Sequence, residues 1–91
     1  MRENHVSDDI VRAHEHRFDN AEEIGRSTTC GCFHCLAIFP PTVIEEWVEM
    51  GEVTALCPEC DVDSIIGSAS WYPITKSFLA AMRKRWFNIG E

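Results

Sequence analysis

The residues best suited to chemistry are the cysteines. Five occur, at 30, 32, 35, 57 and 60. Four of them form two CxxC pairs, Cys32-Phe33-His34-Cys35 and Cys57-Pro58-Glu59-Cys60, separated by 21 residues. A CxxC turn lets two sulfurs bind one ion while nearby backbone amides stabilise the thiolates. Two such turns complete a tetrahedron of Zn–S bonds of about 2.3 Å. The expected ligands are therefore Cys32, Cys35, Cys57 and Cys60, holding one structural zinc ion. Four thiolates leave no open coordination position, which argues against catalysis at the metal. A disulfide framework would need an oxidising compartment. Redox CxxC motifs usually come singly, on longer thioredoxin-like chains. Spacing alone does not separate zinc from iron. Cys30 is the odd thiol. CxxC geometry favours Cys32 as the partner of Cys35, leaving Cys30 spare and a candidate for oxidation. His34, inside the first turn, is expected to point outward.

Other clusters carry less. His14-Glu15-His16 looks like a metal pair, but residues i and i+2 do not share a helix face, so a solvated pair is expected. Glu59, Asp61, Asp63 and Ser64 match no calcium loop. The turn after Cys60 instead suggests Asp61 or Asp63 accepting backbone N–H bonds. No Gly-rich phosphate loop exists, and no Ser-His-Asp triad can be argued, because the three histidines outside the knuckle sit in the polar N-terminal stretch.

These side chains need elements to position them. Residues 1–17 are polar, with Val6, Ile10, Val11 and Ala13 too few for an apolar stripe; a frayed helix or mobile arm is expected, with one domain over residues 18–91. A short helix starts at Asn20, its expected N-cap, with Glu23 at the capping-box position. After Pro40-Pro41, Thr42 and Glu45 form a second capping box. Ile44, Trp47 and Val48 at i, i+3, i+4 predict a helix that ends at Gly51. Residues 52–56 predict a strand running into the second CxxC. Thr75 predicts the cap of a last helix over residues 76–88, with Phe78, Leu79, Met82 and Trp86 inward. Trp47 and Trp86 are expected inside; Trp71 and Tyr72, in a loop, are the best candidates for an exposed contact.

The chain has 91 residues, enough for one domain with a thin core, of a size that metals, disulfides or partners often reinforce. It is 45% hydrophobic and 25% charged, which excludes wholesale disorder and a coiled-coil rod. No apolar run approaches a membrane span, and the N-terminus lacks the apolar core of a signal peptide. A cytoplasmic location is expected. The net charge of −7 argues against generic nucleic-acid binding. Charge is uneven: from Glu45 to Asp63 there are seven acidic residues and no basic one. Lys76, Arg83, Lys84 and Arg85 lie on the last helix, without an acidic residue between them. Arg83 to Arg85 suit a helix C-terminus through its dipole.

The stretch from Cys32 to Phe87, carrying CFHC, ALCPEC and DSIIG followed by WYPITKSFLAAMRKRWF, resembles a family of short, mostly uncharacterised bacterial cytoplasmic proteins. That family shares CFxC…ALCPxC..DS.IG, and the resemblance covers about the last two-thirds of the chain. It implies a zinc-ribbon or treble-clef-like fold and a cytosolic location, and no known activity. LCPEC also resembles the second knuckle of HNH endonucleases. Those enzymes use a His between the knuckles and another on the following helix. Here no His lies between Cys35 and Cys57, and Cys60 is followed by Asp61. The general base and a metal ligand are missing.

The expected fold is therefore a small α+β zinc-ribbon or treble-clef-like domain: two CxxC knuckles, an intervening helix and a C-terminal helix. The expected role is non-enzymatic, a protein-protein interaction module such as an adaptor, an immunity-type inhibitor or a regulator. Glu45, Glu46, Glu49, Trp71 and Tyr72 are its candidate contact residues. The alternative is a nucleic-acid-binding zinc ribbon using Lys76, Arg83, Lys84 and Arg85.

Overall fold

The computed structural model describes residues 4–87, with side chains from residue 8 onward. Helices are α1 (Asn4–His14), α2 (Ala21–Gly25) and α3 (Lys76–Phe87). Strands are β1 (Cys30–Cys32), β2 (Ile38–Phe39), β3 (Trp47–Glu49), β4 (Val53–Ala55) and β5 (Ile65–Gly67). They form two small sheets. One is antiparallel in the order β2-β1-β5, with Gly31 opposite both Ile38 and Ile66. The other is the β3-β4 hairpin, with Val48 opposite Thr54. The domain is thus α+β.

The three-stranded sheet divides two cores. Successive strand side chains point to opposite faces. Cys30, Cys32, Phe39 and Ile65 face one core, together with Ile24, Ile44, Ala55 and Cys57. Ile66 faces the other, with Ile10, Ala13, Phe33, Leu79 and Met82. Gly31 lets α3 approach that face: a Cβ there would lie 2.7 Å from Leu79 Cδ1. Thr75 caps α3 as expected, its Oγ1 accepting the Phe78 amide at 3.2 Å. Leu79 and Met82 are fully buried. The end expected at Asn88 lies outside the described residues.

Three elements differ from expectation. The segment read as a frayed helix or mobile arm is α1, and it docks: Ile10 and Ala13, one turn apart, are buried against the α3 core. His14 stacks on Trp86 with ring centroids 3.8 Å apart. Two buried residues and one stacked ring suffice for a contact too narrow to register as a stripe. The side chains of His5 and Val6 lie outside those described.

The helix expected between the knuckles is replaced by a 3-10 turn, Pro41–Val43, and the β3-β4 hairpin. The Pro pair withholds two backbone donors, Ile44 leaves the turn in extended backbone, and the aromatic and β-branched pair Trp47-Val48 suits a strand. Gly51 is not a helix stop; at φ 88 it turns the hairpin.

Asn20 precedes α2 without capping it by its side chain. Buried, it joins the two sheets instead. Its Nδ2 donates to Ile65 O at 2.9 Å and to His16 O at 3.2 Å, and its Oδ1 accepts the Ala55 amide at 3.0 Å. The sequence-level cap type is right in position but the buried inter-sheet bonds outcompete the local one. Glu23, expected to complete the box, accepts from His16 Nδ1 at 2.9 Å.

Candidate metal centre

The first CxxC follows β1 and leads to β2; the second follows β4 and leads to β5. Each closes the same way. Cys32 N donates to Ala37 O at 2.9 Å, and Leu36 N donates to Cys32 O at 2.8 Å. Cys57 N donates to Val62 O at 3.0 Å, and Asp61 N donates to Cys57 O at 2.9 Å. The residue after each second Cys is left-handed, Leu36 at φ 68 and Asp61 at φ 66. This reversal turns amides back towards sulfur. His34 N and Cys35 N lie 3.3 and 3.4 Å from Cys32 Sγ, and Glu59 N lies 3.3 Å from Cys57 Sγ.

The hairpin and the three-stranded sheet bring the two turns face to face. The sulfurs of Cys32, Cys35, Cys57 and Cys60 all lie within 4.8 Å of one another. Cys32 Sγ is 3.7 Å from Cys60 Sγ, and Cys35 Sγ is 3.7 Å from Cys57 Sγ. Four sulfurs at tetrahedral corners about 2.3 Å from a common ion stand roughly 3.8 Å apart. The same spacing is far beyond a sulfur–sulfur bond, and all five cysteines are free thiols. The donor set thus fits a four-coordinate thiophilic cation, and the expected ligands are brought together.

Electrostatics point the same way. Burial pushes the Cys57 thiol up to about 11 and raises that of Cys60 as well. For Cys32 burial acts upward too, but bonds from the Ser64 hydroxyl and the Cys35 and His34 amides bring the thiol below its ordinary value. Without a cation to neutralise them, four thiolates this close would repel.

Cys30 stands apart. It lies two residues up β1 on the same face as Cys32, fully buried, and joins no part of the cluster. Burial pushes its thiol up to about 11. A protonated, inaccessible thiol is a poor nucleophile, which agrees with a spare residue and opposes an oxidation-sensitive one.

The remaining candidates are scattered. His14 and His16 are not joint ligands: half-buried His14 stacks on Trp86, and His16, with 35% of its side chain still exposed, bonds Glu23. His34 packs edge-on against Phe87 at 4.7 Å rather than pointing outward. Asp61 serves the knuckle through its backbone. Asp63 faces Arg17 Nη1 at 3.8 Å. Glu45 and Glu46 meet Leu56, Pro58 and Asp61 around a notch of about 110 Å³ beside Cys57. Glu49 lies exposed on β3. Trp71 and Tyr72 separate: Trp71 is 92% exposed at φ 71, whereas Tyr72 stacks on Phe78 and meets His16 edge-on. Trp47 is partly buried, on a strand and not on a helix.

On α3, Lys76, Lys84 and Arg85 are exposed and Arg83 is partly buried. Three consecutive residues fan round a helix at 100° steps, and Arg85 lies 4.4 Å over the Trp86 ring. The four cations do not share one stripe.

Sequence reasoning weighed Ser64 only as part of a calcium loop and missed its contact with Cys32. Ser64 is 1% exposed, with its Oγ 3.1 Å from Cys32 Sγ. Its only signal was its position four residues after Cys60 at the start of an apolar pair. No helix among the described residues is long and apolar enough to cross a membrane. No family model, curated protein or solved structure matches the chain.

Proposed function

We propose that this chain is a small cytoplasmic zinc-binding protein that acts by protein-protein interaction, not as an enzyme. One zinc ion, held by Cys32, Cys35, Cys57 and Cys60, clamps the hairpin to the three-stranded sheet. All four corners of the tetrahedron are occupied by sulfur, so the ion has structural work and no substrate position.

The observation that carries the interaction role is the outer edge of β3. Glu46 O accepts the Leu56 amide and Met50 N donates to Glu52 O. Residues 46, 48 and 50 therefore face β4, and Trp47 and Glu49 turn their backbone groups outward. On the opposite edge, Val53 N is met by Asp19 Oδ1 at 3.1 Å and Ala55 N by Asn20 Oδ1. Among the described residues no such closure covers β3. That edge carries exposed Glu45, Glu46, Val48 and Glu49. An unpaired edge is a template for another chain, and its carboxylates favour a basic partner. Trp71, left-handed and almost wholly exposed, is a second contact.

The test is affinity capture with wild type and with the combined variant Glu45→Lys, Glu46→Lys, Glu49→Lys. A near-stoichiometric protein should bind wild type and be lost from the variant, which keeps its metal. Equal capture by both, or none by either, would reject the role. Nucleic acid that binds and washes off steeply with salt would instead favour the α3 cations, Lys76, Arg83, Lys84 and Arg85.

A further inference from the structure

The four sulfurs are not equivalent. Cys32 is buried and is approached by three donors: the amides of His34 and Cys35 and the Ser64 hydroxyl. A buried hydroxyl needs a partner, and a thiolate only accepts, so Ser64 donates to sulfur. Ser64 cannot easily turn away. It lies on the approach to β5, where its carbonyl accepts the Phe33 amide at 3.0 Å. That bond ties Ser64 to the first knuckle from both backbone and side chain. The corresponding inner sulfur of the second knuckle, Cys57, has the Glu59 amide and, among the described residues, no hydroxyl. Of the outer pair, Cys60 is half-buried and Cys35 is exposed. Among the described residues no N–H or O–H is directed at Cys35 Sγ. Each hydrogen bond to a metal-bound thiolate draws off electron density and fixes its direction. Sulfur that keeps its density and meets solvent is the nucleophile.

We propose that Ser64 is a positioning residue that holds the Cys32 thiolate in the metal centre, and that Cys35 is the modification site at which soft electrophiles enter. With iodoacetamide as the electrophile, a Cys35 sulfur lone pair forms an S–C bond. The C–I bond breaks and iodide departs with its electrons. No proton moves, because the sulfur is already a thiolate, and the ion loses one ligand. Metal release then begins at the exposed corner of the first knuckle. The inference rests on the four-thiolate metal site proposed above.

The experiment uses the full chain, loaded with zinc, under sub-stoichiometric iodoacetamide at neutral pH. Labelled positions are mapped by mass spectrometry, and bound metal is measured on the same sample. Cys35 should be labelled first, ahead of Cys57, Cys60 and Cys32, with Cys30 unlabelled. Ser64→Ala should move label towards Cys32 and weaken zinc binding, by chelator competition, about tenfold; Ser64→Thr should restore both. In the cobalt-loaded protein, Ser64→Ala should shift the sulfur-to-metal charge-transfer band to lower energy, because a freed thiolate is the better donor. A merely structural role for Ser64 would leave that band unmoved. First labelling at any other cysteine, or one rate for all four, overturns the Cys35 assignment. An unmoved band and label order in Ser64→Ala overturn the role of Ser64. Should Ser64→Ala not fold, the wild-type label order still decides for Cys35, and Ser64→Cys, with a weaker donor, replaces it in the band comparison. Absence of one bound metal per chain would instead overturn the metal site itself.

Discussion

The two knuckles share one backbone and differ in everything around it. Both close with the same pair of hydrogen bonds and the same left-handed residue after the second Cys. The first grows from the centre of the three-stranded sheet, and its second residue, Phe33, is buried in the helix-side core at 1% exposure. The second hangs from a two-stranded hairpin, and the matching residue, Pro58, is exposed. The lesson is that the CxxC code is local, while insulation of each sulfur is tertiary. A metal centre built from two like turns can therefore be chemically lopsided.

The largest effect should abolish the comparison. A structural zinc is worth about 10–16 kcal/mol of binding free energy, as much as the whole stability of a typical domain, about 5–15 kcal/mol. Stripping the metal, or substituting Cys32→Ser or Cys57→Ser, should unfold both halves together. Far-UV circular dichroism would show it, and a variant folded without metal would mean the ion is not the common clamp.

Next, the knuckles should separate. Phe33→Ala opens a cavity and should cost about 3–5 kcal/mol, whereas Pro58→Ala should cost under about 1 kcal/mol. Denaturant melts of metal-saturated protein check this; equal losses would show the two turns to be equally embedded.

Asn20→Ala tests what joins the two supports. It strands the Ala55 amide and the Ile65 carbonyl, and should cost about 1–3 kcal/mol for each group left unpaired. Hydrogen exchange at Ala55 should accelerate. An unchanged rate there would mean that the metal alone holds hairpin and sheet in register.

The smallest effect belongs to His14, which packs against Phe33 of the first knuckle at 5.6 Å. Burial first, and then the Arg17 guanidinium, lower its pKa below the ordinary value. The folded state thus prefers the neutral ring. Its contribution is complete above about pH 6.5 and is lost as pH falls through the lowered value, since the unfolded chain then binds the extra proton. An NMR titration of the metal-loaded protein should place the His14 midpoint below the usual histidine range.

Legibility followed the range of the interactions. The ligand set was readable because CxxC spacing and sulfur chemistry are local. Helix α3 was readable because Thr75 and the 3.6-residue spacing of Leu79, Met82 and Trp86 agree. The β3 segment was not. Ile44, Trp47 and Val48 fit a helix face by count, yet the chain there turns at Gly51 and pairs with Val53–Ala55 as a hairpin, which a helical count of apolar residues does not reveal. The docking of α1 was missed because Ala13 and His14 acquire meaning only against α3. Asn20 was assigned to a local cap because nothing in its neighbours reveals Ala55 and Ile65 as partners.

The order of residues alone determined a small α+β chain, four thiols in two knuckles that could hold a metal ion, and a capped C-terminal helix. Spacing and side-chain chemistry act over a few residues, and those features need nothing more. Only the tertiary structure decided that Cys30 is packed away, that Ser64 reaches Cys32, that Cys35 is the open corner, and that β3 presents a bare acidic edge. Each depends on burial and on which distant backbone happens to lie within hydrogen-bonding distance, and those are properties of the assembled fold.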